Sequence, residues 1–235
     1  MSASPAALDA LLQRADLWRG GACAHHAEAT LGSGFAALDA VLPDGGWPCG
    51  GLTEVLSGGL GIGELSLFLP ALRQLEAEAG WIVIVAPPAQ VHAPAWQGLG
   101  LPLSRLLVVE AEGADAAWAC EQLLGSGALA ALLAWLPSAD ARALRRLQLA
   151  SSSTRCLSLV FRPERVANQP SPAPLRLALR GSDSGLQVEL LKRRGPPLAK
   201  PISLAIERPL PWSRLVRRVR PAAPVAREPH VAGRP

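Results

Sequence analysis

The sequence has no tyrosine, one methionine and three phenylalanines, and its aromatic share of 4% rests mainly on seven tryptophans. Leucine, valine, isoleucine and alanine must therefore supply most of any core. Cysteine is sparse as well: Cys23, Cys49, Cys120 and Cys156 lie far apart and none forms a Cys-x-x-Cys pair. That spacing excludes a disulfide scaffold and a zinc ribbon and suits a reducing cytoplasm. Long uninterrupted apolar runs are missing too. Residues 122–139 carry no formal charge, but Gly125, Ser126, Gly127 and Pro137 break them, so they read as a buried strand rather than a membrane span. Residues 1–20 lack a basic leader and are interrupted by Asp9, Gln13, Arg14 and Asp16, so they do not read as a signal peptide.

The 235 residues are 49% hydrophobic and 18% charged, enough to bury one large domain with an appended tail and too apolar for a disordered chain. The net charge of +4 is unevenly placed. Between residues 207 and 235, Arg208, Arg214, Arg217, Arg218, Arg220, Arg227 and Arg234 face only Glu207 and Glu228. The body is thus close to neutral, and the basic balance belongs to the tail.

Residues 4–18 place Leu8, Leu11, Leu12 and Leu17 near one helical stripe, with Ser4 as N-cap and Pro5 at the first helical position. A Gly/Ala/His-rich loop leads to a second short helix at 35–42, ended by Pro43 and a turn. Residues 51–57 form a strand, 58–63 a glycine loop, and 64–79 a helix closed by Gly80. Residues 81–86 and 105–110 are short apolar runs of the kind buried parallel strands show. Helical periodicity at 114–125, a strand at 129–135, a helix at 140–150 and a strand at 156–161 continue the alternation, which predicts an α/β sheet. Beyond a loop at 164–174, residues 175–180, 186–194 and 201–206 have only turns between them and read as antiparallel strands extending the sheet.

The glycine loop is the most informative segment. Gly58 and Gly63 have the spacing of the phosphate-binding pattern G-x-x-x-x-G-K-[ST], between a strand and a helix, but Glu64 and Leu65 stand where lysine and Ser/Thr are required. One charge pair near 4 Å is worth about 4 kcal/mol at an effective dielectric of 20, so reversing its sign removes most affinity for a triphosphate. Structurally, an acidic residue in the first helical turn simply complements the helix dipole. Cys23, His25 and His26 lack a fourth ligand at a recognisable spacing, so no metal site is expected. Residues 181–185 place Asp183, not serine, at the centre and read as a hairpin turn.

The run GSGFAALDAVLPDGGWPCGGLTEVLSGGLGIGEL at 32–65 resembles the RecA superfamily, including Leu38-Asp39, the Gly45-Gly46-Trp47-Pro48 turn and Glu54. Together with ADLWRG at 15–20 and LLKRRGPPLAKP at 190–201, it resembles the ImuA group of SulA-like translesion-synthesis accessory proteins. The resemblance covers roughly residues 30–206. It implies an α/β fold with a RecA-like core: a mostly parallel central sheet flanked by helices, with antiparallel strands at the C-terminal side. Residues 1–29 are then an N-terminal helix and linker, 30–206 the core domain, and 207–235 a basic Pro/Arg-rich tail, largely disordered by composition.

Carried over by position, RecA's loop lysine and threonine fall on Glu64 and Leu65. Its water-priming carboxylate falls on Pro87 or Pro88, its magnesium-linked aspartate on Trp135, and its polar sensor near Arg162 and Pro163. These four losses imply no catalytic residues, no cofactor and no enzyme, since phosphoryl transfer without positioned charge and metal has little to work with. The DNA-contacting loops shrink to 137–140 and 163–174. Lys192, Arg193 and Arg194 match the basic hairpin that RecA uses between protomers; a solvated hairpin end is the plainer reading. In the tail, Trp212, Leu215, Val216 and Val219 would share one helical face against Arg214, Arg217 and Arg218, as in a ligand for a protein groove or a nonspecific nucleic-acid arm. Leu8, Leu11 and Leu12 are the other interface candidates.

The expected role is a non-catalytic accessory of damage-induced (SOS) translesion DNA synthesis. Its implied partners are RecA or its filament, an ImuB-type relative of Y-family polymerases and, through the complex, an error-prone replicative-type polymerase. A cytoplasmic, nucleoid-associated location without membrane contact accompanies that role. The alternatives are a residual ATP-binding ATPase and a SulA-type cell-division inhibitor acting on a tubulin-like GTPase.

Overall fold

The computed structural model describes residues 29–75, 80–182, 185–195 and 200–206. The expected helix at 4–18 and the tail beyond 206 lie outside them, as do residues 76–79 at the end of the expected helix 64–79 and the centre of the 181–185 turn.

A small antiparallel pair, β1 (Thr30–Leu31) with β2 (Trp47–Pro48), brackets the short helix α1 (Ala36–Asp39) and a 3-10 turn at Pro43–Gly45. The turn read at 45–48 is thus partly strand, and Trp47 is fully buried on Phe68 with ring centroids 4.7 Å apart. The chain continues through β3 (Gly51–Ser57), α2 (Glu64–Gln74), β4 (Trp81–Val85), α3 (Ala93–Gly98), a 3-10 turn (Leu103–Arg105) and β5 (Leu106–Val109). It then runs through α4 (Gly113–Gly125), β6 (Leu129–Trp135), α5 (Ala141–Ser152), β7 (Leu157–Pro163), β8 (Leu175–Ser182), β9 (Gly185–Lys192) and β10 (Ile202–Leu204).

Eight of these strands form one mixed sheet in the order β10-β9-β8-β3-β7-β6-β4-β5. The pairs from β8 to β5 are all parallel, and only β9 and β10 are antiparallel. The parallel part is covered on both faces, which is why its strands read as continuous apolar runs. Alternation divides them between two cores. Val55, Ile82, Ile84, Leu133 and Leu159 meet Leu67, Phe68 and Leu72 of α2 on one side. On the other, Leu52, Val83, Leu132 and Val160 meet Cys120 and Leu124 of α4 and Leu144 and Leu147 of α5. Asp140 caps α5, its Oδ1 accepting from the Ala143 amide at 2.7 Å.

Two expectations need correction. Residues 175–180 read from the sequence as an antiparallel strand, yet β8 pairs parallel with β3 and only the next hairpin reverses. The 164–174 connection, with one 3-10 turn at Glu164–Val166, is long enough to return the chain to the start of the sheet without a helix. Residues 105–110 have the composition of a buried strand, but β5 is the sheet edge, with Leu107 42% and Val108 37% exposed. Helix α3 was not anticipated, because Pro94 and six residues of length leave no amphipathic period to read.

Candidate functional site

Parallel α/β sheets hold ligands beyond the carboxyl ends of their strands. Here the ends of β3, β4, β5, β6 and β7 surround a cleft of about 950 Å3. The four positions that the resemblance assigns to nucleotide chemistry, spread over a hundred residues of sequence, all line it: the Gly58–Glu64 loop, Pro87 and Pro88, Trp135, and Arg162 and Pro163.

The loop holds itself closed. Gly63 is left-handed at φ 105° and turns the chain into α2, whose first residue is Glu64. That side chain folds back: Oε1 accepts from the Gly61 amide at 3.0 Å and Oε2 from the Gly63 amide at 3.2 Å. A carboxylate thus occupies the amides that in a phosphate loop would face phosphate oxygens. Glu64 is 7% exposed, so these bonds are sheltered. Leu65 packs against the core and offers no hydroxyl. At the other end of the loop, a Cβ on Gly58 would stand 3.0 Å from Oε2 of Glu164, a carboxylate already paired with Arg180.

The remaining walls are apolar. Trp135 stacks on Phe161 with centroids 4.5 Å apart and planes 13° from parallel. Ala86, at φ 50°, turns the chain from β4 into Pro87 and Pro88. Arg162 also borders the cleft, but its charge is spent inward. Its Nη1 donates to Glu54 Oε1 at 2.6 Å and its Nη2 to the Ala139 carbonyl at 2.7 Å. Arg176, the register partner of Glu54 across β3 and β8, donates from Nε to Glu54 Oε2 at 2.6 Å. Its two other nitrogens reach the Ala167 and Val166 carbonyls. Glu54, Arg162 and Arg176 are all buried, forming one ion-pair triad under the sheet's C-terminal edge. Exposed Glu110 and Glu112 complete the rim.

The other expected interface residues fall elsewhere. Lys192 is exposed at the end of β9 and donates to the Ser171 carbonyl at 2.9 Å. Arg193 is half-buried and donates to the Val41 carbonyl, tying the hairpin to the loop after α1, and Arg194 lies exposed beside it. The structure does not join these cations to the cleft lining. Leu8, Leu11, Leu12, Trp212, Arg214, Leu215, Arg217 and Arg218 lie outside the described residues. Among the described residues no cluster of His, Cys, Asp and Glu suited to a metal occurs, and no helix is long and apolar enough to cross a membrane.

The triad and the acidic rim were missed by sequence reading. Lone charges within apolar strands, Glu54 in GLTEVLS and Arg176 in LRLALR, were the available signal for the triad. Glu110 and Glu112 are ordinary loop residues until the fold sets them beside the cleft.

The molecule is therefore a mixed α/β protein with a carboxyl-end cleft whose glycine loop is filled by its own glutamate. A family model described as cell division inhibitor SulA matches residues 60–158. Protein ImuA of Caulobacter vibrioides is 36% identical over 126 residues, 51% of this chain and 52% of that protein. The cell division inhibitor SulA of Photorhabdus laumondii is 31% identical over 111 residues, 47% of this chain and 63% of that protein. The crystal structure of SulA from Pseudomonas aeruginosa matches 47% of this chain and 97% of its own at 30% identity, with a TM-score of 0.41, too low to speak for the fold. These matches support an ImuA/SulA-like family assignment. It spans between about half and three-fifths of the length of the curated relatives it matches.

Proposed function

We propose that the chain is a non-catalytic accessory of the damage response, built on a RecA-type core and acting with RecA and an ImuB-type partner in translesion DNA synthesis. The observation that carries this reading is the self-filled loop: Glu64 holds the Gly61 and Gly63 amides from within the cleft. A positioned carboxylate repels polyphosphate, and Pro87, Trp135 and the internally paired Arg162 supply neither a water-priming base nor a metal ligand. Convergence of the four carried-over positions on one cleft supports the RecA-type register, and the ImuA relative supports the damage-response setting. What the fold retains is a surface for protein partners, with the basic hairpin at Lys192–Arg194 and the tail as contact candidates.

The test is a pull-down of purified RecA by the full chain, with and without single-stranded DNA and nucleotide. Retention of RecA, reduced by Lys192→Glu/Arg194→Glu, agrees with the reading; no retention under any condition contradicts it. Tail variants Arg214→Glu/Arg217→Glu/Arg218→Glu should lose the ImuB-type partner while RecA stays bound.

A second reading, a cell-division inhibitor, is favoured by the family model over residues 60–158 and by the SulA relatives. Co-purification of the tubulin-like division GTPase from cells, with no RecA, would select it.

A further inference from the structure

We propose that the cleft is a binding site for a cationic, tryptophan-bearing peptide segment, and that in the free protein its occupant is this chain's own segment 208–220.

Pro87, Pro88, Val108, Trp135 and Phe161 give the cleft flat, apolar surfaces suited to an indole ring. Its charge is negative on balance. Arg162 shares the Glu54 carboxylate with Arg176, so the buried triad keeps one positive charge, set against the carboxylates of Glu64, Glu110 and Glu112. Glu110 and Glu112 remain exposed on the rim, with no ion pair among the described residues. Such a site repels a polyphosphate and attracts a cation with an apolar flank.

The chain carries a segment of that chemistry. Residues 208–220, RPLPWSRLVRRVR, combine Trp212, Leu215, Val216 and Val219 with five arginines. The described chain ends at Ile206, which is 9% exposed and lies against the glycine loop: its Cγ2 would stand 3.9 Å from a Cβ on Gly63. The described chain thus ends against Gly63 of the loop whose Gly58, Gly59, Leu60 and Glu64 line the cleft. The stretch from Ile206 to Trp212 can reach up to about 20 Å when extended, so the indole can arrive at the apolar floor while Arg214, Arg217 and Arg218 meet the acidic rim. Tethering raises the local concentration into the millimolar range, so contacts too weak for a free peptide suffice in cis. A partner that takes the tail must then draw it out of the cleft, and the two binding events compete.

The test uses the full chain. In a Cys23→Ser background, cysteines replacing Glu112 and Arg214 should form an intramolecular disulfide under mild oxidation; the three remaining cysteines are buried and do not compete. A labelled peptide of residues 207–220 should bind full-length Trp212→Ala at least about tenfold more tightly than wild type, whose cleft is filled in cis. Adding Glu110→Arg/Glu112→Arg should abolish that binding. Equal peptide affinity for wild type and Trp212→Ala, absence of the disulfide, or a cross-link that yields only dimers would overturn the proposal; dimers would assign the cleft to a second copy's tail.

Discussion

Replacing Glu54 by glutamine should be among the most damaging single changes in the body, although it alters no shape. One carboxylate, 1% exposed, serves two guanidiniums that are 6% and 7% exposed, each at 2.6 Å. Without its charge, one arginine can still find the amide oxygen, while the other faces an NH2 group that it cannot bond. Both keep their carbonyl partners at Ala139, Val166 and Ala167, so the loss falls on the charge. Breaking a buried ion pair costs about 3–5 kcal/mol, against a total stability of about 5–15. At about 2–4 °C per kcal/mol for a domain of this size, Tm should fall by about 6–20 °C. Urea unfolding followed by circular dichroism would measure it, with the midpoint falling at unchanged slope. The companion variant Glu54→Leu/Arg162→Met/Arg176→Met should recover most of the loss, because removing every charge removes the need to solvate any. A Glu54→Gln unfolding free energy within about 1 kcal/mol of wild type would refute the reasoning.

Other expectations follow from single contacts. Glu64→Ala frees the Gly61 and Gly63 amides, so inorganic phosphate should raise the Tm of the variant but not of wild type; an equal response in both would contradict a self-filled loop. Gly34→Ala should cost several kcal/mol, on the order of a core defect, since φ is +80° and the new Cβ would stand 2.5 Å from Pro70 Cβ; a Tm unchanged from wild type would refute it. Burial pushes the Cys120 and Cys156 thiols up from 9.0 to about 12. Their contribution is whole below pH 9 and is lost as pH rises toward 12, by up to about 1.4 kcal/mol per pH unit for each thiol. Urea midpoints between pH 8 and 10.5 should therefore fall less steeply for Cys120→Ala/Cys156→Ala than for wild type, and equal slopes would refute it.

Much of the fold was legible because its parallel strands are buried on both faces. Residues 51–57 and 129–135 are apolar runs of strand length bounded by glycine or proline, and the structure forms β3 and β6 over those same residues. Edge position was not legible: LLVV reads alike at the centre or rim of a sheet, and only the order of all eight strands leaves Leu107 and Val108 exposed. The direction of β8 was hidden for a related reason, since a long helix-free connection permits either sense. Of the site, the reversed charge at Glu64 could be read from the loop spacing, but not that its carboxylate turns back onto the loop. The Glu54 triad joins residues more than a hundred positions apart, and its lone charges gave the types without the pairing.

That the carboxyl-end cleft binds no nucleotide is the expectation on which the proposed function rests. Its most direct test is the thermal stability of the full chain with and without magnesium and ATP at millimolar concentration. No change in Tm is expected. A ligand present at a hundred times its dissociation constant adds about 2.7 kcal/mol, so a rise of several degrees with MgATP would contradict it and make the chain a nucleotide-binding protein after all.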